Sequence, residues 1–224
     1  MPNCKEHGKE LMASMSLLIQ VPAKHLCGLT GQGKLLWFSD AELEEIVGVD
    51  SETGQVVRRI ECPEVRTGLT MLNGNLLQVV GSKRGLRLID PNTGKMVQAF
   101  PNPRPGVELC GIEAMSTGVW FGYSDPPVLE FRDLKKFDLI DRIPVLEPVA
   151  GVTVAGRHVA YSSFKTAHIH LIDPTTKQAI ATIDVKGNPT GLTWDGRRFW
   201  YCDYNNIWLR SAELPQGLSV SASS

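Results

Sequence analysis

Short apolar runs alternate with turn residues along the whole chain, and one apolar hexamer with a glycine near its centre occurs five times. The copies are His25–Thr30 (HLCGLT), Val65–Thr70 (VRTGLT), Glu108–Glu113 (ELCGIE), Pro148–Thr153 (PVAGVT) and Asn188–Thr193 (NPTGLT). Their glycines stand at positions 28, 68, 111, 151 and 191, so the unit is about forty residues long. A period of this length indicates a repeat protein whose units pack side by side.

Each unit follows the same order of apolar runs and turns. The hexamer is followed by a turn, a second run, an irregular loop, a third run and a fourth run. In three units the third run ends in a turn of one kind: VDSETGQ at 49–55, IDPNTGK at 89–95 and IDPTTKQ at 172–178. In such turns proline presets φ, glycine accepts a positive φ and aspartate caps. Four short strands per unit predict a propeller blade, and no sustained 3.6-residue period predicts a helix.

The fifth unit, which begins at Asn188, has only three runs before a polar tail. An unpaired apolar run lies at the other end of the chain, SMSLLIQVP at 14–22. We therefore predict an all-β, five-bladed β-propeller in which this N-terminal strand pairs with the strand at 207–213 and closes the last blade, because pairing removes an open sheet edge. The predicted limits are a flexible N-terminus at 1–13, a single propeller domain at 14–214 and a disordered tail at 215–224.

Composition narrows the classes of partner. The 224 residues include 23 basic and 24 acidic side chains, a net charge of −1. Nucleic acids and anionic membranes usually require a basic face, so we expect neither as a partner. Five cysteines without a CxxC pair favour a reduced, cytoplasmic protein. The apolar stretch at 11–21 follows Glu6 and Glu10 and is too short to span a bilayer, so we expect no signal peptide. The sequence does not indicate an oligomeric state.

The repeats resemble the glutamine cyclotransferases, a family of five-bladed propellers of similar length. The likeness covers about residues 25–214. It rests on segments such as LLWFSD with VDSETGQVVRRI, GLRLIDPNTGKMVQAF, ELCGIEAMSTGVWFGYSD and the closing NPTGLTWDGRRFWYCD. Much of the pattern is also similar to virginiamycin-lyase-like and gluconolactonase-like propellers.

The positions just before the repeat glycines depart from that family. The family tends to have Gln or Glu there in the first two blades and Trp in the third, with a Glu-rich first strand in the fourth. This chain has Cys27, Thr67, Cys110 and Ala150 at those positions. The resemblance therefore implies the architecture but not the cyclisation of N-terminal glutamine, because the carboxylate and amide that would handle such a substrate are absent from their usual places.

The candidate site lies where the chain enters the innermost strand of each blade, since pockets form at the mouths of closed β structures. We expect a small polar molecule to bind there. The residues near the repeat glycines and on the neighbouring loops form two groups. The catalytic candidates are Glu108 and His25, and the substrate-binding candidates are Asn188, Glu64, Glu147, Tyr123, Lys165, Asp203, Tyr204, Cys27 and Cys110.

Two kinds of chemistry fit these residues. In the first, His25, Glu108 and Asn188 with a neighbouring carboxylate hold a divalent metal ion that polarises a lactone or carbonyl. In the second, which needs no cofactor, Glu108 is a general base and His25 or Lys165 donates a proton, since crowded carboxylates at a partly dry mouth have raised pKa values.

The cysteines allow a third interpretation. Cys27 follows His25 by two residues, and alternation along a strand places both side chains on one side, where an imidazole could activate the thiol. A cysteine between leucine and glycine is, however, more often a small buried hydrophobic residue.

Two classes of function remain open from the sequence. The first is an enzyme of cyclotransferase, lactonase or lyase type with its site at the axial mouth. The alternative is a non-catalytic propeller that binds a small ligand or a protein through the same face. A deep pocket in which His25 and Glu108 lie within about one water of each other would favour the enzyme, and a flat, shallow mouth would favour the binding protein.

Overall fold

The computed structural model describes residues 17–215 and Leu218, which contain twenty β-strands and no helix. The predicted flexible segment at 1–13 lies outside these residues, as does most of the predicted tail. In chain order the strands are β1 Leu18–Gln20, β2 Leu26–Gln32, β3 Leu35–Asp40, β4 Glu45–Asp50, β5 Val56–Glu61, β6 Val65–Leu72, β7 Asn75–Val80, β8 Gly85–Ile89, β9 Met96–Phe100, β10 Leu109–Ala114, β11 Val119–Ser124, β12 Pro127–Arg132, β13 Leu139–Pro144, β14 Gly151–Ala155, β15 His158–Ser163, β16 His168–Asp173, β17 Gln178–Asp184, β18 Pro189–Trp194, β19 Arg198–Asp203 and β20 Trp208–Glu213. Within the described part of the chain, nothing helical is long and apolar enough to cross a membrane.

Five four-stranded antiparallel sheets form the blades of one ring. Blades 1 to 4 are β2–β5, β6–β9, β10–β13 and β14–β17. Blade 5 consists of β18, β19 and β20, with β1 at its outer edge, where Ile19 pairs with Leu209. The structure thus confirms the five-bladed all-β propeller and its closure by the N-terminal strand.

The repeat glycines mark where the innermost strands of neighbouring blades touch. A Cβ added to any of them would lie 2.9 Å or less from an atom of the next blade, closer than real Cβ atoms approach. The facing atoms form a closed circle: Gly28 on Thr67 O, Gly68 on Cys110 O, Gly111 on Val152 N, Gly151 on Thr190 O and Gly191 on Leu29 N of blade 1. The glycine therefore recurs because five backbone contacts close the ring.

The innermost strands are bulged at these glycines. The ladder to the second strand shifts register there in blades 1, 2, 3 and 5. A bulge brings residues three positions apart to the same face. In blade 1, Cys27 packs in the same cluster as Trp37, which pairs with Thr30. The innermost strands therefore carry two sets of side chains on this face. The residues one position before the glycines form the pocket ring: Cys27, Thr67, Cys110, Ala150 and Thr190. The residues two positions after the glycines form the threonine ring, in which blade 3 has a glutamate: Thr30, Thr70, Glu113, Thr153 and Thr193.

The hydrophobic core is divided into five clusters, one between each pair of neighbouring blades. Large side chains on the second strands fill the wedges, with Trp37 between blades 1 and 2, Trp120 between blades 3 and 4, and Trp200 between blades 5 and 1. Each blade thus buries both of its faces against neighbours, and the ring has a core only when it is complete.

The predicted aspartate turns are present. In blade 1, Asp50 Oδ1 accepts hydrogen bonds from the N–H groups of Glu52 (3.0 Å) and Thr53 (2.7 Å), and Gly54 has a φ of 72°. Blade 4 differs because Lys177 occupies the corresponding position with a φ of 60°.

Candidate functional site

A pocket of about 380 Å³ opens on the axis, at the end where the chain enters the innermost strands. All five blades contribute to its lining. The floor is the pocket ring, whose side chains are small, and the charged groups His25, Arg66, Glu108 and Lys165 stand around it. This volume lies within the range of ordinary small-molecule sites.

Six predicted site residues line this pocket: His25, Cys27, Glu108, Cys110, Lys165 and Tyr204. Buried Asp40 holds His25 in place by accepting its backbone N–H at 3.2 Å and that of Lys24 at 2.6 Å. The His25 ring meets Tyr204 edge to face, with centroids 4.8 Å apart, and Tyr204 meets Phe164 at 5.6 Å. One side of the pocket is therefore an aromatic wall.

Glu108 is engaged at both carboxylate oxygens. Arg84 Nη2 lies 2.5 Å from Oε1, and Ser124 Oγ donates to Oε2 at 3.1 Å. The Glu108 side chain is 53% exposed. It also borders a larger, open depression of about 740 Å³ formed by residues 82–85, 101–102 and 105–108. Only loops of blade 2 and the connection to blade 3 line that depression, so the axial pocket, which all five blades enclose, is the better candidate.

The two cysteines of the pocket ring are buried thiols. Cys27 Sγ donates to Ser39 O at 3.3 Å. Burial raises the pKa of Cys27 and that of Cys110 to about 11. Such thiols are protonated at neutral pH, so this environment opposes the interpretation of Cys27 as an activated nucleophile.

Two predicted binding residues are buried in the walls of the propeller, outside the pocket lining. Asp203 accepts hydrogen bonds from the backbone N–H of Asn188 (3.3 Å), from Asn206 Nδ2 (2.8 Å) and from Arg210 Nε (2.6 Å). Tyr123 is enclosed between blades 2 and 3, with the Arg104 guanidinium 5.5 Å from its ring centroid. These positions correct the prediction, because neither side chain faces the axis.

Glu64 and Asn188 also lie outside the lining. Glu64 is exposed, with its carboxylate 3.9 Å from Arg87 Nη2. Asn188 Nδ2 donates to Phe164 O at 3.0 Å, and its Oδ1 accepts from Asn205. The predicted metal site of His25, Glu108 and Asn188 is therefore not formed. The Asn188 amide hydrogen-bonds to Phe164 O and to Asn205, and the Glu108 carboxylate contacts Arg84 and Ser124.

The remaining predicted residue, Glu147, belongs to a cluster on blade 4. Its Oε1 lies 3.4 Å from His168 Nδ1 and its Oε2 lies 3.0 Å from His170 Nε2. Burial alone would raise the pKa of Glu147, but hydrogen bonds from Thr166 and His170 outweigh it and hold this pKa at about 2. Among the side chains of residues 17–215, these three bring His and carboxylate donor atoms within 4.8 Å of one another. The sequence signal for the cluster is the alternating His-Ile-His at 168–170, because residues two apart share a face of a strand.

Arg66 is a charged residue of the pocket lining that the glycine-based prediction missed, together with the uncharged Thr67, Ser124, Phe164 and Thr190. It stands two positions before Gly68, whereas the prediction used the positions three and four before each glycine. The corresponding residues of the other blades are all apolar: Leu26, Leu109, Val149 and Pro189. A scan of this position would have found the single charged residue.

The unpaired charges at the pocket are positive. Glu108 is paired with Arg84, so its charge is already neutralised. Arg66 and Lys165 form no ion pair with any residue that the structure describes. The rim therefore carries two uncompensated cations, from blades 2 and 4.

No protein-family model and no curated protein sequence matches the chain. Solved structures do match. Glutaminyl cyclase from Myxococcus xanthus superimposes with a TM-score of 0.71 at 14% identity, over 88% of this chain and 93% of that one. A nidogen/laminin complex gives a TM-score of 0.63 at 14% identity, over 86% and 77%. A catalytically inactive virginiamycin B lyase from Staphylococcus aureus, solved with quinupristin, gives 0.54 at 16% identity, over 87% and 68%. The chain is thus similar in fold to glutaminyl cyclase and to virginiamycin B lyase, as the sequence predicts.

Proposed function

We propose that the protein acts on a small polar molecule with an anionic group, bound in the axial pocket. The observation that carries this proposal is the convergence of all five blades on one pocket whose rim holds Arg66 and Lys165 without ion-pair partners in the described chain. A mostly apolar concave surface with a few convergent polar groups is the usual construction of a small-molecule site. Two uncompensated cations favour a carboxylate or another anion.

The lining indicates how such a ligand is oriented. Arg66 and Lys165 come from blades 2 and 4, so they offer positive charge to a ligand from two sides of the pocket. The hydroxyls of Thr67 and Thr190 donate to Leu109 O (2.8 Å) and Leu26 O (3.3 Å) of the following blade. Because those hydroxyl protons are already used, the two oxygens act as acceptors. Thr67 Oγ1 already accepts a long hydrogen bond from Arg84 Nη1 (3.5 Å), so Thr190 Oγ1 is the more open acceptor for an N–H or O–H group of the ligand. The aromatic wall would pack against its apolar part.

The reaction we propose is of cyclotransferase, lactonase or lyase type, with Glu108 as base and His25 as proton donor. Both residues line the same pocket, which is the geometry that a shared substrate requires. The names of two similar structures, a glutaminyl cyclase and a virginiamycin B lyase, support an enzymatic role.

Ligand binding tests the pocket. The melting temperature would be measured with a panel of small carboxylic acids and their neutral amides. We expect some acids, and not their amides, to raise it. Arg66→Gln and Lys165→Gln should each weaken binding about ten- to hundredfold, as expected for a hydrogen bond to a charged group. Lys34→Gln is the matched control, because Lys34 is exposed, pairs with Glu52 and lies outside the pocket.

Turnover tests the chemistry separately. Acids that bind would be incubated with the protein and followed by NMR for ring opening, ring closure or elimination. Glu108→Gln and His25→Ala should abolish conversion while the ligand still binds. Binding without conversion of any ligand would instead support the non-catalytic alternative, and equal stabilisation by acids and amides would contradict the proposed anion site.

A further inference from the structure

We propose that Glu147, His168 and His170 form a binding site for a zinc-like divalent transition-metal ion on blade 4, separate from the axial pocket. The three donor atoms, two imidazole nitrogens and one carboxylate oxygen, lie within 4.8 Å of one another. Two histidines and one carboxylate are a ligand set that Zn²⁺ uses in sites that keep a fourth position for water.

The backbone brings these donors together. His168 and His170 are two residues apart on β16, so both side chains project from one face of the sheet. Glu147 stands in the connection that leads into β14 and reaches across the same face. Two ligands of a tetrahedral zinc ion with bonds of about 2.0–2.1 Å are about 3.3 Å apart. Glu147 Oε1 lies 3.4 Å from His168 Nδ1 and Oε2 lies 3.0 Å from His170 Nε2. With one donor atom from each residue, all three separations are within 4.8 Å, so binding one ion would draw the donors together by at most about 1.5 Å.

The outer nitrogen of each imidazole also has a partner. Asp184 Oδ1 lies 3.1 Å from His168 Nε2, and Thr182 Oγ1 lies 3.0 Å from His170 Nδ1. Both partners lie on β17, directly opposite the histidines in the ladder. A proton on each outer nitrogen leaves Nδ1 of His168 and Nε2 of His170 free to bind metal, and this is how metal-ligating histidines are usually oriented.

Packing and exposure complete the site. The ring of Tyr161 stacks on His170 with centroids 4.7 Å apart, which fixes the orientation of that imidazole. The side chains of Glu147, His168 and His170 are 23%, 29% and 12% exposed, so a water molecule can reach the fourth position. Glu147 immediately precedes Pro148, which lines the axial pocket, and the two sites are therefore neighbours.

Metal titration of the untagged full-length chain tests this inference. Isothermal titration calorimetry should show one Zn²⁺ per chain, with no binding of Mg²⁺, which prefers all-oxygen ligands. At a hundredfold excess over Kd, Zn²⁺ should raise the melting temperature by about 5–10 °C. The double variant His168→Ala/His170→Ala should lose at least a hundredfold in zinc affinity, while His25→Ala should retain it. Binding lost in His25→Ala and kept in the double variant would move the metal to the axial mouth and overturn the proposal.

Asp184→Asn gives a test that does not depend on altering the ligands. The Asp184 side chain is 93% exposed, so its replacement should leave the melting temperature without zinc unchanged. Zinc affinity should fall about 10–100-fold, as for other residues that orient a ligating histidine. No zinc binding by the parent chain at millimolar concentration, or equal affinity in the parent and in Asp184→Asn, would refute the site as described.

Discussion

Glu113 stands on the axis among hydroxyl groups. Thr70 Oγ1 donates to its Oε2 at 3.1 Å, and Thr153 Oγ1 lies beside it without a hydrogen bond of normal geometry. Burial raises the pKa of Glu113 to about 8, so at neutral pH most molecules carry it as a neutral acid.

This carboxyl should make stability depend on pH. Above pH 4.5 the unfolded chain loses the Glu113 proton, whereas the folded chain keeps it up to about pH 8. The folded state then binds more protons, so the free energy of unfolding falls as pH rises through this window, by at most about 1.4 kcal/mol per pH unit. Glu113→Gln stays neutral and should lack this slope. Urea denaturation at pH 5, 6, 7 and 8 measures it.

Glu52→Gln is the control for the pH series, because it also removes one carboxylate, but an exposed one. Its slope should match that of the parent. If Glu113→Gln and the parent lose stability in parallel between pH 5 and 8, Glu113 is not the group that titrates.

Single residues near the repeat glycine were partly predictable. Position along the strand was enough to place His25 and Glu108 at the axial mouth, because every blade enters the ring in the same way. Position relative to the repeat glycine did not show which polar side chains are buried within the protein instead of facing the pocket. Asp203 was expected at the mouth, but its carboxylate accepts hydrogen bonds from the backbone N–H of Asn188 and from the side chains of Asn206 and Arg210. That choice depends on local hydrogen bonds, which a repeat pattern does not contain.

Among the strands, β2 offers a direct test of why glycine recurs. A Cβ on Gly28 would lie 2.5 Å from Thr67 O and 2.6 Å from Leu69 Cβ of the next blade. The nearest atom to a Cβ on Gly31, three residues later in the same strand, is Thr193 Oγ1 at 3.6 Å. Gly28→Ala should lower the free energy of unfolding by about 3 kcal/mol, since the neighbouring backbone must move. Gly31→Ala should change it by less than about 1 kcal/mol.

Chemical denaturation of the two variants compares like with like, because both add one methyl group to one strand. Equal losses of stability would mean that β-propensity, and not the contact between blades, selects the glycine.

The strands themselves were predictable because apolar runs, turn aspartates and the forty-residue period all agree. Contacts that depend on the register of one strand against the next could not be read in this way. Glu130 is fully buried in β12, where Arg132 Nη2 lies 2.5 Å and Arg142 Nη2 lies 2.7 Å from its oxygens. Its segment, VLEFRD, has the ordinary alternation of a strand. Only the register of β12 against β13 brings the second arginine to this carboxylate.

For the ring as a whole, β1 is the joint. Ile19 is 8% exposed and packs into the cluster between blades 5 and 1, whereas the neighbouring Leu18 is 43% exposed. Ile19→Ala should therefore cost about 2–3 kcal/mol of unfolding free energy. Leu18→Ala should cost less than about 0.5 kcal/mol, as surface substitutions usually do. Thermal and urea unfolding measure both.

Loosening of the joint should also have a second effect, since β20 without β1 presents an open sheet edge. Light scattering near the melting temperature should rise earlier for Ile19→Ala than for Leu18→Ala. Identical unfolding and scattering curves would show that β1 does not hold the ring together.

Composition supplied the expectations that concern the molecule in its surroundings. A cytoplasmic location, and the absence of nucleic-acid and membrane partners, rest on net charge and cysteine count and stay predictions. Neither the net charge nor the geometry of the ring depends on the cellular compartment. The predicted location should therefore be tested by localising a tagged chain in cells.

The pairing of β1 with β20 also dictates an order of events during synthesis. Leu17 and Ser211, which hydrogen-bond to each other, are 194 positions apart in the chain. At about 5–20 residues per second, a ribosome needs roughly 10–40 s to pass from one to the other. For that interval β1 lacks its partner β20, and blade 1 has one uncovered face. The nascent chain can therefore complete four blades before β20 emerges from the ribosome and the fifth blade can form.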